Sequence, residues 1–280
     1  ITVHKRYDDL TRVSYSKTEL LENIGEMKHE LIRESLKFMK IKGGIELTSI
    51  SDLTAHGTGL GSSSAYTVGV LNALARYSNK RYSRFNLAND ACKIEIEKCN
   101  HPIGKQDQFA SAFGGLNEIV FKKGCVDITP LNVSSETLEK FSENLLLFDT
   151  GIKRRSSDIL KSQRKSYRSK DFQKTQELLC LIPEFRSCLV ENNPDDAGSI
   201  LHESWKIKRS INSNITNSKI DECYADAIKS GALGGKLCGA GGGGFLMFYV
   251  KEGSRDKVRK SLKGLKELEF NFDYEGASIL

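Results

Sequence analysis

A glycine- and serine-rich turn at residues 57–63 constrains the fold of this 280-residue chain more than any other feature. Glycines at positions 57, 59 and 61 let the backbone approach a ligand, and Ser62 is suited to cap the helix that the following apolar spacing predicts. Backbone N–H groups and the positive dipole end at such a helix start favour an anion such as phosphate. The turn is not a Walker A loop, because no Gly-Lys-Ser/Thr sequence closes it. A tight turn that only caps a core helix remains the alternative.

A second glycine-rich segment, at residues 239–244, contains a formal G-x-G-x-x-G pattern. It follows a predicted helix and opens a predicted strand, whereas a dinucleotide-binding loop follows a strand and opens a helix. We interpret the segment as a flexible loop that lies against a polyphosphate or an acceptor substrate, with Gly241 and Gly242 as the contacts. A hinge or a packing turn is the alternative.

Two carboxylates near the middle of the chain are candidates for chemistry. Asn86 is the predicted N-cap of a helix that extends to about Cys99, and on this helix Glu95 shares an apolar face with Cys92 and Cys99. A buried carboxylate needs a cation or hydrogen bonds to offset its desolvation. Asp107 lies near the start of a short predicted helix, where the dipole favours its ionised form. Taken alone, each carboxylate is equally consistent with a structural role.

Strand and helix patterns alternate without a regular βαβ repeat, which favours an α+β fold. The patterns predict a hairpin over 1–16, a helix over 18–40, a strand at 45–50, a helix after the turn at 57–63, a short helix closed by Gly114-Gly115, strands near 116–121 and 144–149, helices over 176–230 broken at Asn192-Asn-Pro194, and the strand Phe245–Val250.

The composition excludes several classes of protein. A net charge of +6 from 42 basic and 36 acidic residues, with no basic stripe among aromatic residues, argues against a nucleic-acid partner. The longest apolar run is six residues, far below the roughly 20 that a membrane-spanning helix needs, so no membrane partner is expected. Seven cysteines without a C-x-x-C pair indicate reduced thiols in a cytoplasmic protein.

Together, the three segments resemble the GHMP kinases, the family of galactokinase, homoserine kinase and mevalonate kinase. The family's phosphate loop is matched by Gly57-x-Gly59-Leu-Gly-Ser-Ser63, and its C-terminal glycine motif by Lys236-Leu-Cys-Gly-Ala-Gly-Gly-Gly-Gly244. Its acidic motif is matched by Glu95 and by Pro102-x-Gly104-x-x-Asp107-Gln108. The resemblance spans nearly the whole chain in the family's order.

The resemblance implies a two-part α+β fold with the active-site cleft between the parts. An N-terminal ATP-binding domain is expected at residues 1–150 and a C-terminal domain at residues 151–280. The family opens with a hairpin whose glycine-rich turn helps to hold the sugar, and this hairpin would precede Ile1. Because Ile1 is not a natural start, we expect a segment before it. The expected assembly is a monomer or a homodimer.

The resemblance also implies roles for individual residues. Backbone N–H groups from Gly59 to Ser62 would hold the phosphates of ATP, Ser63 and Glu95 would hold Mg²⁺, and Asp107 would face the acceptor hydroxyl as a general base or an orienting group. Lys105 would attract the transferred phosphate, with an exposed surface lysine as the alternative. The residues that line the ATP phosphates would be Gly57, Gly59, Leu60, Gly61, Ser62 and Ser63.

Within the family, the segments Gly-Lys-Gln-Asp-Gln-Phe109, Thr150-Gly-Ile-Lys-Arg154 and Leu201-His-Glu-Ser-Trp205 are most similar to kinases of the D-glycero-D-manno-heptose 7-phosphate type. The sugar 1-kinase half of bifunctional fucokinases is also similar. The resemblance implies transfer of the γ-phosphate of ATP to the anomeric hydroxyl of a small-molecule sugar phosphate, which for this heptose gives the 1,7-bisphosphate.

A substrate that already carries a phosphate needs cations for that second anion. Arg154, with its neighbours Lys153 and Arg155, is suited to bind it, and a solvated helix start is the alternative for this basic cluster. Two other functions stay open. One is a kinase of an unphosphorylated sugar of the fucose or galactose type, and the other is a non-catalytic regulator that binds sugar and nucleotide.

Overall fold

The computed structural model describes residues 1–52, 57–152 and 172–279. These residues form two compact units. Unit 1 takes its described residues from Ile1–Ala55, Gly61–Ile128 and Asp273–Leu280, and unit 2 takes its own from His56–Leu60 and Thr129–Phe272. Within the described ranges, no helix combines the length and the apolar character that crossing a membrane requires.

Strands and helices alternate irregularly along the chain, as an α+β fold requires. The strands are β1 (Thr2–Lys5), β2 (Thr11–Ser14), β3 (Thr18–Leu21), β4 (Ile45–Thr48), β5 (Asn117–Lys122), β6 (Cys125–Pro130), β7 (Leu145–Asp149), β8 (Ala232–Leu237), β9 (Phe245–Val250) and β10 (Lys266–Glu267). The α-helices are α1 (Glu30–Phe38), α2 (Ser62–Tyr77), α3 (Arg84–Cys92), α4 (Gln106–Phe113), α5 (Ser135–Glu143), α6 (Phe172–Val190), α7 (Pro194–Ile211), α8 (Ser218–Lys229) and α9 (Arg255–Ser261).

Unit 1 contains a four-stranded mixed sheet in the order β1-β4-β2-β3. Strand β4 is antiparallel to β1 and parallel to β2, and β2 is antiparallel to β3. Alternate residues of β2 and β4, Val13, Ile45 and Leu47, are fully buried in a core that helices α1 to α4 complete. This period of two is the pattern of a sheet with one covered face.

Unit 2 contains a four-stranded antiparallel sheet in the order β10-β7-β9-β8. The central strands β7 and β9 are buried along nearly their whole length, which matches their continuous apolar sequences. Trp205 of α7 and Tyr224 of α8 pack into the same core as Phe248 of β9. Trp205 is therefore a residue of the unit 2 core.

The first 40 residues are folded differently from the prediction. Strand β1 pairs with β4 and not with β2, so residues 1–16 are not a hairpin. The helix predicted over 18–40 is wrong in its first half, because residues 18–21 form β3 against β2. Helix α1 begins only at Glu30, where the Nδ1 atom of His29 accepts a hydrogen bond from the first turn. Strand pairing, of β1 with the distant β4 and of β3 with the adjacent β2, here outweighs the local spacing of apolar residues.

The helix predicted over residues 86–99 begins earlier and changes its geometry. Its N-cap is Ser83, whose hydroxyl accepts a hydrogen bond from the Asn86 N–H group at 3.1 Å, and not Asn86 itself. After α3, the chain continues through a π-helical turn, Lys93–Lys98, which contains Glu95. Such turns are rare and occur frequently at functional sites.

The last described residues return to unit 1 and pack against the C-terminal end of α4. The N–H group of Gly115 donates to the Asp273 carbonyl at 2.6 Å, and that of Ala277 donates to the Ala112 carbonyl at 3.4 Å. A Cβ atom on Gly276 would lie 2.6 Å from the backbone nitrogen of Gly114. We define residues 273–279 as the C-terminal segment. The division into domains at 1–150 and 151–280 stays a prediction, whereas the compact units divide after Ile128.

Candidate functional site

The predicted phosphate turn leads directly into helix α2, as the sequence indicates. The N-cap residue is Gly61, in the left-handed conformation with φ +70°, and Ser62 is the first helical residue. The expectation that Ser62 caps the helix is therefore wrong. Because Gly61 has no side chain, it leaves room at the helix start for a ligand or for another residue.

Asp107 occupies a position next to this helix start within unit 1. A Cβ atom on Gly61 would lie 3.1 Å from the Cγ atom of Asp107, so the carboxylate packs against the N-cap residue of α2. Asp107 is in the first turn of α4, as predicted, and accepts a hydrogen bond from the Gln106 side chain at 3.2 Å. Desolvation raises the pKa of Asp107, and the hydrogen bond from Gln106 opposes this rise. The net direction is thus opposite to the one that the sequence predicts for a carboxylate at a helix start.

Glu95 is fully buried on the face that the sequence predicts. Its Oε2 atom accepts a hydrogen bond from the Gln108 side-chain amide at 2.5 Å, whereas its Oε1 atom has no hydrogen-bond partner among the described residues. Desolvation raises the pKa of Glu95, and the nearby Ser64, Gln108 and Ser63 side chains oppose the rise. An unpartnered carboxylate oxygen in this environment is costly unless a cation or a donor completes it.

The chemistry around Glu95 fits a hard divalent cation. The Ser63 hydroxyl and the unpartnered Oε1 atom of Glu95 are both oxygen atoms that can coordinate a metal ion. The Ser63 side chain is close enough to Glu95 to lower the pKa of its carboxyl group. Magnesium is bound by one or two protein oxygens while it keeps several waters. The described ranges contain no group of three or more His, Cys, Asp or Glu side chains that could hold a metal ion by themselves.

Lys105 directly precedes α4 and its side chain is exposed. The structure gives it no contact that distinguishes a phosphate ligand from a surface lysine. Arg154, together with Lys153 and Arg155, lies outside the described residues.

In unit 2, residues 57–60 pack against residues 238–245, and we call this contact the glycine junction. A Cβ atom on Gly59 would lie 2.5 Å from the Cys238 carbonyl oxygen, and one on Gly239 would lie 2.6 Å from the Gly59 Cα atom. The N–H group of Phe245 donates to the Thr58 carbonyl at 3.3 Å. The two glycine motifs, about 180 residues apart in sequence, therefore meet backbone to backbone.

The central glycines of the second motif have structural contacts of their own. The N–H group of Gly242 donates to the Ile215 carbonyl at 2.7 Å, and a Cβ atom on Gly241 would lie 2.8 Å from the same oxygen. A Cβ atom on Gly243 would clash with the Ile152 backbone. Close packing accounts for these glycines, so a substrate contact by Gly241 and Gly242 stays a prediction. Leu60 likewise uses its N–H group internally, to the Thr58 hydroxyl at 3.3 Å.

Sequence reasoning missed two polar residues that the structure places at these sites. The Gln108 side-chain amide donates a hydrogen bond to Glu95. The only feature of the sequence that points to Gln108 is its position beside Asp107 in the acidic motif. Lys208 donates to the carbonyl oxygen of Gly239 at 2.7 Å, and it lies one helical turn after Trp205. By contrast, His202 pairs and stacks with Tyr224 inside unit 2, which is a structural contact.

Comparisons with known proteins agree with the order of these segments. Residues 13–115 match the model of the GHMP kinases N terminal domain, and residues 181–266 match that of the GHMP kinases C terminal domain. The D-glycero-alpha-D-manno-heptose 7-phosphate kinase of Campylobacter jejuni is 30% identical over 272 residues, which cover 94% of this chain and 79% of that protein. The galactokinase of Thermococcus kodakarensis is 28% identical, covering 75% of this chain and 66% of that protein.

Solved structures show the same fold. A D-glycero-D-manno-heptose 1-phosphate kinase from Bacteroides thetaiotaomicron aligns with a TM-score of 0.75 and 20% identity, covering 98% of this chain and 84% of that chain. The galactokinase of Lactococcus lactis, in complex with galactose, aligns with a TM-score of 0.73 and 17% identity over the same shares of the two chains. The two-domain α+β architecture predicted from the sequence is confirmed.

Proposed function

The chain belongs to the GHMP kinase family, whose members are phosphotransferases with an alcohol group as acceptor, and from this premise we propose the reaction that it catalyses. The proposed reaction transfers the γ-phosphate of ATP to the anomeric hydroxyl of a sugar phosphate. D-glycero-D-manno-heptose 7-phosphate is the proposed substrate and the 1,7-bisphosphate the proposed product. The similarity to the Campylobacter jejuni heptose 7-phosphate kinase over most of both chains supports this choice of sugar.

One observation carries the proposed chemistry: two desolvated carboxylates flank the first turn of α2. Asp107 packs against Gly61, and Glu95 lies beside Ser63 with one oxygen unpartnered among the described residues. Phosphoryl transfer needs positioning and charge neutralisation more than covalent help from the protein. The helix start with its backbone-only cap would position the phosphates of ATP, and a cation held by Glu95 would supply the neutralising charge.

The roles of the individual residues follow from their chemistry. Backbone N–H groups between Gly59 and Ser62, other than that of Leu60, which donates to the Thr58 hydroxyl, orient the phosphates of ATP at the helix start. Asp107 accepts the proton of the acceptor hydroxyl as the oxygen attacks the γ-phosphorus, and the bond to the bridging oxygen of ADP breaks. A pKa raised by burial makes the Asp107 carboxylate a stronger base than an exposed aspartate.

Ser63 and Glu95 are the proposed ligands of Mg²⁺. When bound, the ion neutralises charge on the phosphates of ATP. Gln108 holds the Oε2 atom of Glu95, which leaves the Oε1 atom for coordination. The exposed Lys105 and the cluster with Arg154 remain proposed contacts for phosphate groups, and Gly241 and Gly242 remain proposed contacts for the substrate.

The test is ADP release by the full-length protein with ATP and Mg²⁺ on a panel of acceptors. The panel holds heptose 7-phosphate, the unphosphorylated heptose, fucose, galactose and mevalonate. We expect strong turnover with the 7-phosphate and little with the other acceptors. Preference for an unphosphorylated sugar would reject the proposed substrate while retaining the kinase chemistry. No turnover with any acceptor would reject the proposed substrate class as a whole.

A further inference from the structure

Two lysines of unit 2 lie at the glycine junction. Lys208, in the last turn of α7, donates from its Nζ atom to the carbonyl oxygen of Gly239 at 2.7 Å. Lys236, in β8, is close enough for its charge to act on Lys208. Because Gly239 packs on Gly59, the Lys208 ammonium is separated from the first glycine motif by one hydrogen bond and one backbone contact. We call Lys208 and Lys236 the lysine pair.

The lysine pair has no negative partner among the described residues. Lys206 and Arg209, the neighbours of Lys208 on α7, pair with Glu203 and Asp221 respectively. The groups that influence Lys208 are instead a second cation, Lys236, and the Cys238 thiol. Burial raises the pKa of the Cys238 thiol, so this group is neutral at neutral pH and supplies no counter-charge.

Burial together with repulsion from Lys236 lowers the pKa of Lys208 to about 8, so Lys208 still carries its charge at neutral pH. Keeping a half-buried ammonium next to a second cation costs free energy that one carbonyl hydrogen bond offsets only in part. The Lys206 side chain, two residues earlier on the same helix, is exposed to water. Among the described residues, no carboxylate offsets the charge of Lys208.

We propose that Lys208 and Lys236 bind a phosphoryl group at the glycine junction. A phosphate monoester carries close to two negative charges at neutral pH, which matches two ammonium groups, and lysine binds phosphate as a point charge. The origin of this phosphoryl group rests on the proposed kinase function. It is either the terminal phosphate of ATP or the phosphate that the acceptor sugar already carries.

Binding of inorganic pyrophosphate to the full-length protein tests the site without any turnover. Isothermal titration would compare the wild type with Lys208→Gln, Lys208→Arg, Lys236→Gln and the exposed control Lys206→Gln. We expect both Lys→Gln changes in the pair to weaken binding about 10- to 100-fold, the range for losing a charged hydrogen bond. Lys208→Arg should retain most of the affinity, and the control should bind like the wild type.

The glutamine and arginine variants together separate charge from structure, because glutamine removes the charge and arginine keeps it on a side chain of different shape. Wild-type affinity in Lys208→Gln would overturn the proposal. Equal losses in Lys208→Gln and Lys208→Arg, accompanied by a lower Tm, would also overturn it, since they indicate that Lys208 only ties down the junction.

Steady-state kinetics of the same variants assign the source of the phosphoryl group. A raised KM for ATP alone identifies the nucleotide phosphate, and a raised KM for heptose 7-phosphate alone identifies the acceptor phosphate. Unchanged kcat and KM values for both substrates would overturn the proposal. If the wild type phosphorylates none of the acceptors, the proposed function fails, but the pyrophosphate titration still decides whether the lysine pair is a phosphate site.

Discussion

Two sites of opposite charge distinguish the two units of the molecule. Unit 1 buries carboxylates, Glu95 and Asp107, and desolvation raises the pKa of each. Unit 2 partly buries an ammonium, Lys208, and desolvation lowers its pKa. In both places, the described residues leave the charge without a counter-ion. The ligands that we propose have the opposite charges, a cation in unit 1 and a phosphoryl group in unit 2.

The difference between the sites also concerns how they are held. Glu95 is fixed by a side-chain amide, that of Gln108, and Asp107 by that of Gln106. Lys208 is fixed by a backbone carbonyl at a contact between glycines that leaves no space for a side chain. We therefore expect unit 1 to tolerate isosteric side-chain changes that remove charge, and we expect substitution at the glycine junction to disrupt the backbone.

The largest effect is expected from Asp107→Asn. Loss of the proton acceptor should lower kcat by about 10² to 10⁴, the usual contribution of a general base, while the affinity for ATP changes little. The matched control is Asp127→Asn, which removes an exposed carboxylate that pairs with Lys122. Steady-state turnover and nucleotide titration measure the two quantities. A kcat within about tenfold of the wild type would exclude Asp107 as the base.

Glu95→Gln should affect the metal and not the sugar. The Mg²⁺ concentration at half-maximal activity should rise about tenfold or more, because even residues that only support metal ligands contribute this much. Glu97→Gln is the control, since this exposed carboxylate lies two residues away in the same π-helical turn. A magnesium titration that is the same in both variants would place the metal site elsewhere.

Gly239→Ala tests the glycine junction through stability. Its φ of +69° alone costs an alanine about 1–2 kcal/mol, and the clash with Gly59 adds about 1–3 kcal/mol. Gly151→Ala in the same unit is the control, because Gly151 has a φ of +67° and open space around it. Denaturant unfolding should show the larger loss of unfolding free energy for Gly239→Ala. Equal losses would mean that the junction yields to a methyl group.

The smallest effects are expected on the Tm of two variants that each remove a buried charge, one in each unit. The gain in Tm should vanish at low pH for the carboxylate of unit 1 and at high pH for the ammonium of unit 2. Because burial raises the pKa of Asp107, its ionised form destabilises the folded state at neutral pH, and the cost disappears as the pH falls below the ordinary value of 3.8. Asp107→Asn should therefore raise the Tm at neutral pH, and the gain should vanish on acidification.

For Lys208, the cost of the buried charge is fully present below a pH of about 8 and is lost as the pH rises toward 10.5. Lys208→Gln should raise the Tm at neutral pH, with a gain that shrinks on alkalinisation. Thermal melts of the ligand-free protein across pH check both variants. A gain that is independent of pH would show that these charges are solvated in the folded protein.

Local signals explain what the sequence predicts well. The start of α2, the end of α4 at Gly114 and the strand Phe245–Val250 depend on glycines and on the period of nearby apolar residues. The burial of Glu95 follows from its position on an apolar helical face. In each case, the decisive residues lie within a few positions of one another.

Contacts between distant segments explain what the sequence could not give. Strand β1 pairs with β4 across about 40 residues, which the pattern of residues 1–16 does not indicate. Residues 18–21 are a local exception, since they pair with the adjacent β2 although their apolar spacing favours a helix. Lys208 and Gly239 are 31 residues apart, and nothing in either segment signals that they meet. The Gln108 amide reaches Glu95 from a different helix, which residue spacing alone does not reveal.

The C-terminal segment, residues 273–279, has a consequence for how the protein is made. A ribosome finishes every residue of unit 2 before it releases this segment, yet the segment completes the backbone hydrogen bonds at the end of α4 in unit 1. During synthesis, helix α4, which bears Asp107, therefore cannot form its hydrogen bonds with the C-terminal segment until all of unit 2 has been translated. Unit 1 is the first part of this sequence to be translated and the last to be completed.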